Sequence, residues 1–167
     1  MLFAAILMMA GFTTTVMAQS AQDNTAKAVL KIPISLAVDH IMDFAVLSGS
    51  ATAGTVEMAA TLAATLTPST GVHIVSGTPY AGKYTVTGEP STIYTITIPI
   101  TATTITDGGS ASMTVENMTC SIPVTAGAGS LAAITGLQSF YVGGTLHIGA
   151  DQIAGTYTGL FEVSVNY

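Results

Sequence analysis

Apolar residues fall on every second position over much of this chain. The period is clearest in residues 155–167, where Tyr157, Phe161, Val163, Val165 and Tyr167 alternate with Thr158, Glu162, Ser164 and Asn166. A strand repeats its side-chain direction every two residues, so one face of this stretch is aromatic and β-branched and the other polar. The pattern predicts a closing strand that enters at Gly155 and ends with Tyr167 in the buried row. Residues 26–38 carry the same period. Ala26, Ala28, Leu30, Ile32, Ile34, Leu36 and Val38 share one face, while Lys27, Lys31, Pro33, Ser35 and Asp39 lie mainly on the other. Pro33 has no N–H to give to a ladder, so this first strand is an edge strand or breaks near Pro33.

Between these two stretches the alternation recurs in short pieces. A second short strand is expected at residues 41–44. Residues 54–66 have helix formers among them, but Val56, Met58, Ala60, Leu62, Ala64 and Leu66 alternate and several neighbours are β-branched, which predicts a strand. Further strands are expected at 72–75, 83–87, 92–100, 113–118, 120–124, 140–142 and 145–148. Turn signals separate them: 68–71, Gly77-Thr78-Pro79, Gly88-Glu89-Pro90, Asp107-Gly108-Gly109, a small-residue loop over 127–136, and 149–152. No amphipathic helix interrupts them. Strands punctuated roughly every ten residues predict an all-β, antiparallel sandwich or barrel.

Composition alters this picture at one end. Hydrophobic residues make up 49% of the chain and charged residues 7%, against roughly 25% charged in ordinary soluble domains. Residues 2–9 form an apolar run, too short for a spanning helix of about 20 residues. Val16-Met17-Ala18 follows it. The expectation is a signal peptide over residues 1–18 cleaved before Gln19, a flexible polar segment 19–25, and one domain over 26–167 with no membrane span after cleavage. Localisation is then the periplasm, the cell surface or the medium. Elsewhere Thr, Ser and Gly dilute the apolar residues, which implies a surface of hydroxyl and amide groups.

Charge excludes two partner classes. The net charge is −6, and the three cations are Lys27, Lys31 and Lys83, with no Arg. A nucleic-acid binder needs a basic footprint, and so does a basic-patch anchor on anionic lipid. The single Cys120 cannot form an intramolecular disulfide and reads as a small buried hydrophobe.

Little in the chain points to catalysis. His40, His73 and His147 sit in separate strands or strand ends, none at metal-ligand spacing from a partner. Asp39, His40 and Asp43 form the densest polar cluster and read as a solvated turn. No Gly-x-Ser-x-Gly elbow occurs, and Ser48-Gly49-Ser50 and Gly108-Gly109-Ser110 read as turns. Asp107-Gly108-Gly109 does not continue into a calcium loop. Gly143-Gly144 has no helix after it to cradle a phosphate and fits a bulge or hairpin instead. No catalytic residue, cofactor or metal is expected, and the chain is not expected to be an enzyme. Tyr80, Tyr84, Tyr94 and Tyr141 are candidate stacking platforms for a glycan, and core packing explains most of them equally well.

Phe140-x-Val142-Gly143-Gly144-Thr145-Leu146, followed by Gly155-Thr156-Tyr157-x-Gly159-x-Phe161-x-Val163-x-Val165-Asn166-Tyr167, resembles the C-terminal signature of a family of exported bacterial β-sandwich domains of unknown function. Ala28, Val29, Pro33 and Ile34, the Met42-Asp43-Phe44 element and Gly54-Thr55-Val56 resemble its N-terminal part. In that family the residue after Phe44 is often Gly, where this chain has Ala45. More distantly, the closing strand is similar to that of chaperone–usher pilins and spore-coat-U-type subunits. The resemblance implies an Ig-like, Greek-key sandwich exported to the periplasm or surface, and it carries over no catalytic residue.

Two functions are therefore expected. The first is a structural subunit of a surface fibre or coat, joined to itself or to other fibre subunits through strand edges, with a periplasmic chaperone as a further partner. Gly155, Tyr157, Phe161, Val163, Val165 and Tyr167 then close the fold, and Leu30, Ile32, Ile34 and Leu36 mark a donated or first strand. Since the loose segment 19–25 is too short to replace a strand, donation requires residues 26–38 themselves. The second is a self-complete surface module that binds a ligand such as a glycan.

Overall fold

Alternating β-branched and aromatic residues, separated by Gly, Pro and Asp turns, leave the backbone few ways to satisfy its hydrogen bonds other than ladders. The computed structural model describes residues 25–167, and the elements in it are strands, with no helix among the described residues. The expected signal peptide and residues 19–24 lie outside the described residues. In chain order the strands are β1 (Ser35–His40), β2 (Val46–Ser48), β3 (Gly54–Met58), β4 (Leu66–Pro68), β5 (His73–Ser76), β6 (Gly82–Thr87), β7 (Ile93–Thr97), β8 (Thr103–Thr106), β9 (Ser112–Cys120), β10 (Gly129–Ser130), β11 (Leu137–Ile148) and β12 (Ser164–Asn166). Every strand pair is antiparallel.

β11 is the axis of the main, seven-stranded sheet. Val142 faces Gly82 of β6 on one edge and Cys120 of β9 on the other. Leu146 faces Val56 of β3 and Val115 of β9. One edge of β11 thus serves β6 and then β3, while β9 runs along the other. The handover falls at Gly143, where a side chain would strike the Met58 carbonyl oxygen and come within 2.8 Å of the Ala60 nitrogen. The β9 register slips beside the same residue, between Gly143 and Thr145. The Gly143-Gly144 pair therefore sits inside one continuous strand, opposite a bulge whose extra residue lies in β9, where the sequence predicted two strands around it. Outward from this axis, β1 extends β6, β4 extends β3 and β8 extends β9. A three-stranded sheet, β10-β7-β12, and the β2-β5 pair complete the fold.

The core fills the space between sheets. Tyr84, Val86, Phe140 and Val142 of the large sheet meet Tyr94, Ile96 and Leu131 of the small one. Tyr84 and Phe140 are cross-strand partners whose rings stack at 5.3 Å. Farther along the same face of β11, Leu146 and Ile148 join Val56, Val72 and Val115 in a second cluster. Met58, Ala64 and Ala81 make a third, and Met42 packs against all three. No polar or charged residue is fully buried among the described residues. The two main sheets are tied by Gln138 of β11, whose Oε1 accepts from Tyr94 Oη and from the Ser130 N–H, each at 2.8 Å.

Several expected strands change extent. The first strand begins at Ser35 rather than residue 26, just after Pro33, and β1 is an edge strand; the missing Pro33 donor accounts for the late start. Residues 41–44 contribute only a bridge between Asp43 and Tyr80. Residues 54–66 fold into the β3–β4 hairpin, with Ala64 in the left-handed region at φ 46° in its turn. The strand predicted at 113–118 extends to Ser112–Cys120 as β9, and the one predicted at 120–124 does not form beyond Cys120.

Candidate functional site

The closing segment does its work with side chains more than with its ladder. Only Ser164–Asn166 pair, against Thr97 to Thr95 of β7, and Thr158 bridges Thr106 of β8. Phe161, Val163 and Val165 are half-buried and pack on the first core cluster, as the alternation predicted. Tyr157 is half-buried, and its hydroxyl donates to the Ile153 carbonyl at 2.6 Å while accepting from Gln152 Nε2 at 2.8 Å. Gly155 has ordinary room around it, its nearest neighbour being Asp107 Cβ at 3.4 Å. The glycine that the packing demands is Gly159, where a Cβ would lie 2.6 Å from the Thr104 carbonyl oxygen. Sequence reasoning passed over it, although it stands at the centre of the Tyr157-x-Gly159-x-Phe161 spacing.

Tyr167 differs from the expectation. It is not in the core but 41% exposed. Its phenol accepts from the Glu89 N–H at 2.7 Å and donates to the Ile32 carbonyl at 2.8 Å. Glu89 Oε2 in turn accepts from the Ile32 N–H at 3.1 Å. Lys31 Nζ stands 5.9 Å from the Tyr167 ring centroid, within cation–π range. Tyr167 is therefore a latch that holds the approach to β1 beside β12 in one molecule. Glu89 was not foreseen, since in sequence it is only part of a Gly-Glu-Pro turn.

The four residues expected to mark the first strand divide at Pro33. Ile34 and Leu36 are half-buried against the first core cluster. Leu30 is 100% exposed and Ile32 52% exposed. Residues 25–34 enter no strand ladder among the described residues, Ile32 being held only by Glu89 and Tyr167, although 26–32 keep a strand's alternation. Among the described residues β1 is laddered only to β6 and β12 only to β7, and β1 and β12 approach one another without pairing. Along this approach Ile34, Leu36, Phe161, Val163 and Val165 form an apolar seam, half open to solvent.

A second polar and aromatic feature lies on the outer face of the large sheet. The His40 and Tyr80 rings stack at 5.4 Å and 9°. Together with Thr61, Leu62, Lys83 and Tyr141 they line a concavity of about 120 Å³. Lys83 Nζ pairs with Asp39 Oδ2 at 3.0 Å, Thr85 Oγ1 donates to the same oxygen at 2.7 Å, and Ser139 Oγ lies 2.9 Å from Thr85 Oγ1. The Thr85 hydrogen bond, then Lys83, holds the Asp39 carboxyl below its ordinary pKa. Of the four candidate tyrosine platforms, Tyr84 and Tyr94 are in the core, while Tyr80 and Tyr141 come together here. Asp43 leaves the Asp39–His40 group: its Oδ1 accepts from the Ala45 N–H at 2.8 Å and closes a turn.

The remaining candidates hold no built chemistry. Cys120 is half-buried against the first core cluster, and burial pushes its thiol pKa up, away from reactivity. His147 Nε2 lies 2.6 Å from Glu116 Oε1, at an angle that makes no hydrogen bond. No group of three or more metal-ligating side chains occurs among the described residues, nor any helix long and apolar enough to cross a membrane. A shallow groove of about 350 Å³ beside β12, lined by Thr97, Ile98, Pro99, Glu162 and Ser164, has neither a cation nor an aromatic ring.

Residues 34–167 match the family model described as a Domain of unknown function (DUF4402). The matched span starts one residue before β1 and runs through Tyr167. No curated protein and no solved structure matches the chain.

Proposed function

We propose that this chain, which belongs to the DUF4402 family, is a non-enzymatic, exported structural subunit of a bacterial surface fibre or coat. In this reading the two facing sheets are an Ig-like, Greek-key sandwich. The Tyr157 hydroxyl, bonded back to the Ile153 carbonyl, supports that assignment, because a tyrosine corner of this kind recurs in such sandwiches. The low charge and hydroxyl-rich surface suit a subunit that packs against copies of itself.

One observation carries the proposal. Among the described residues a strand-like apolar segment, 26–32, precedes β1 without ladder partners, and half-buried apolar residues of β1 and the closing segment lie where those two strands approach without pairing. A neighbour's segment laid along β1 or β12 gains main-chain hydrogen bonds from the edge and seats its alternate side chains on the seam. Leu30 and Ile32 then leave water, each contributing up to about 1.5–3 kcal/mol. The structure also eases a constraint on this reading, since the unpaired stretch before β1 runs to Ile34 instead of ending at Thr25. A periplasmic chaperone that covers the seam before assembly is the partner this implies.

The test is electrophoretic. Full-length protein should give a ladder that survives SDS without heating. Deleting residues 26–32 should abolish the ladder and leave a folded monomer, because β1 and its pairing with β6 remain. A ladder unchanged by the deletion would refute strand donation. A second reading, a self-complete binding module, is favoured by the Tyr80 concavity.

A further inference from the structure

The concavity on the outer face of the large sheet is built from distant parts of the chain, and its chemistry is unlike the rest of the surface. Only three cations occur in the sequence, and Lys27 and Lys31 precede β1. The third, Lys83, is placed in β6 beside Asp39, His40, Tyr80 and Tyr141. From this arrangement we infer that the site binds a neutral pyranose, one residue of a glycan.

Three features select that ligand class. The first is the ring pair. Tyr80 is 46% exposed and stacked on His40, so it presents a broad, stiffened apolar face to solvent. Such a face suits the C–H side of a sugar ring, and the exposed Leu62 extends it. The second is the charge balance. Lys83 is already neutralised by Asp39 at 3.0 Å, and Thr85 holds the same carboxylate oxygen. Lys83, which lines the concavity, thus offers an ammonium donor whose charge Asp39 already balances, which suits neutral hydroxyls. An anionic ligand would have to compete with Asp39 for Lys83 and would face its carboxylate. The third is size. A volume of about 120 Å³ is that of about four waters, far below the roughly 300–1,000 Å³ of pockets that enclose whole ligands. It suits a single sugar residue resting on the sheet with the rest of the glycan outside.

The experiment is an NMR titration of the ¹⁵N-labelled full chain with methyl α-D-mannopyranoside, methyl β-D-galactopyranoside, methyl β-D-glucopyranoside and methyl β-D-glucuronide. At least one neutral glycoside should shift the His40, Tyr80, Ala81, Lys83 and Tyr141 amides saturably, with a Kd near the millimolar range. Tyr80→Ala should weaken that binding about tenfold or more, whereas Tyr80→Phe, which keeps the stacking face, should bind within a few-fold of the parent. Lys83→Met should also weaken it, with thermal melts of each variant showing that the fold persists. No saturable shift at these amides with any neutral glycoside would overturn the inference. So would preferential binding of the glucuronide, or equal binding by parent and Tyr80→Ala.

Discussion

At the scale of single residues, two positions show what local chemistry decides. Ala45 follows Phe44 and sits at φ 60°. The Asp43 carboxylate, accepting from the Ala45 N–H at 2.8 Å, fixes the turn that demands this conformation. A Cβ there costs roughly 1–2 kcal/mol, and glycine gives back part of that in chain entropy. Ala45→Gly should therefore raise stability, by up to about 1 kcal/mol in urea denaturation. The left-handed backbone at Ala45 was not legible in the sequence, where it is one more small residue after Phe44. Tyr94 is the second position. Burial, with a smaller contribution from Cys120, raises its phenol pKa to about 12 from 10.0. Between those values the unfolded chain ionises and the folded chain does not, so Tyr94 withdraws stability as pH rises from about 10 to about 12. Tyr94→Phe should flatten the loss of stability in that window, at a cost near neutral pH of about 0.5–1.5 kcal/mol for the bond to Gln138.

At the scale of elements, alternation revealed that strands exist and which of their faces is buried, but not where pairing starts and stops. Residues 26–32 alternate as well as Ile34 to Val38 do, yet only the latter stretch, past Pro33, reaches β6. Phe161 and Val163 alternate into the core without a ladder partner, because packing needs only side-chain direction, whereas pairing needs a free edge in register. For the same reason β11 could not be seen whole. Gly143-Gly144 punctuates the sequence like a turn, and only the approach of Met58 and the β9 bulge explain why the strand continues through it. The Tyr167 latch shows the converse case. Period placed it in the core row, but its hydroxyl finds Glu89 and Ile32 at the edge of the fold. Tyr167→Phe removes both bonds and should cost roughly 1–2 kcal/mol. Faster amide exchange at Glu89 should report the loss directly; protection unchanged from the parent would mean that the latch contributes nothing.

At the scale of the molecule, the all-β, antiparallel class was readable from turn spacing and β-branched content. The candidate sites were not. His40, Leu62, the Tyr80–Lys83 stretch and Tyr141 come from four separate parts of the chain, and only the registers of β1 and β11 on β6 bring His40 and Tyr141 opposite Lys83. The seam is likewise a product of folding, since neither β1 nor β12 advertises in sequence that, among the described residues, it is laddered on one edge alone. What the sequence did contain is the pair of stretches at the two ends of the fold, 26–38 and 155–167, whose alternation has a purpose in the proposed function. Within one molecule they meet through Tyr167 and Ile32. Between molecules, residues 26–32 of one copy are proposed to lie on the seam of the next.

That claim is tested most directly by disulfide trapping between two differently marked chains, with the native Cys120 replaced by Ala in both. One chain carries Leu30→Cys and the other Val163→Cys. Oxidising the mixture should give a mixed, reducible dimer linking donor segment to seam, in preference to either homodimer, because the disulfide forms only where the two Cα atoms come within about 7 Å. Absence of the mixed dimer, together with an intramolecular bridge in a single chain carrying both cysteines, would contradict assembly by strand donation.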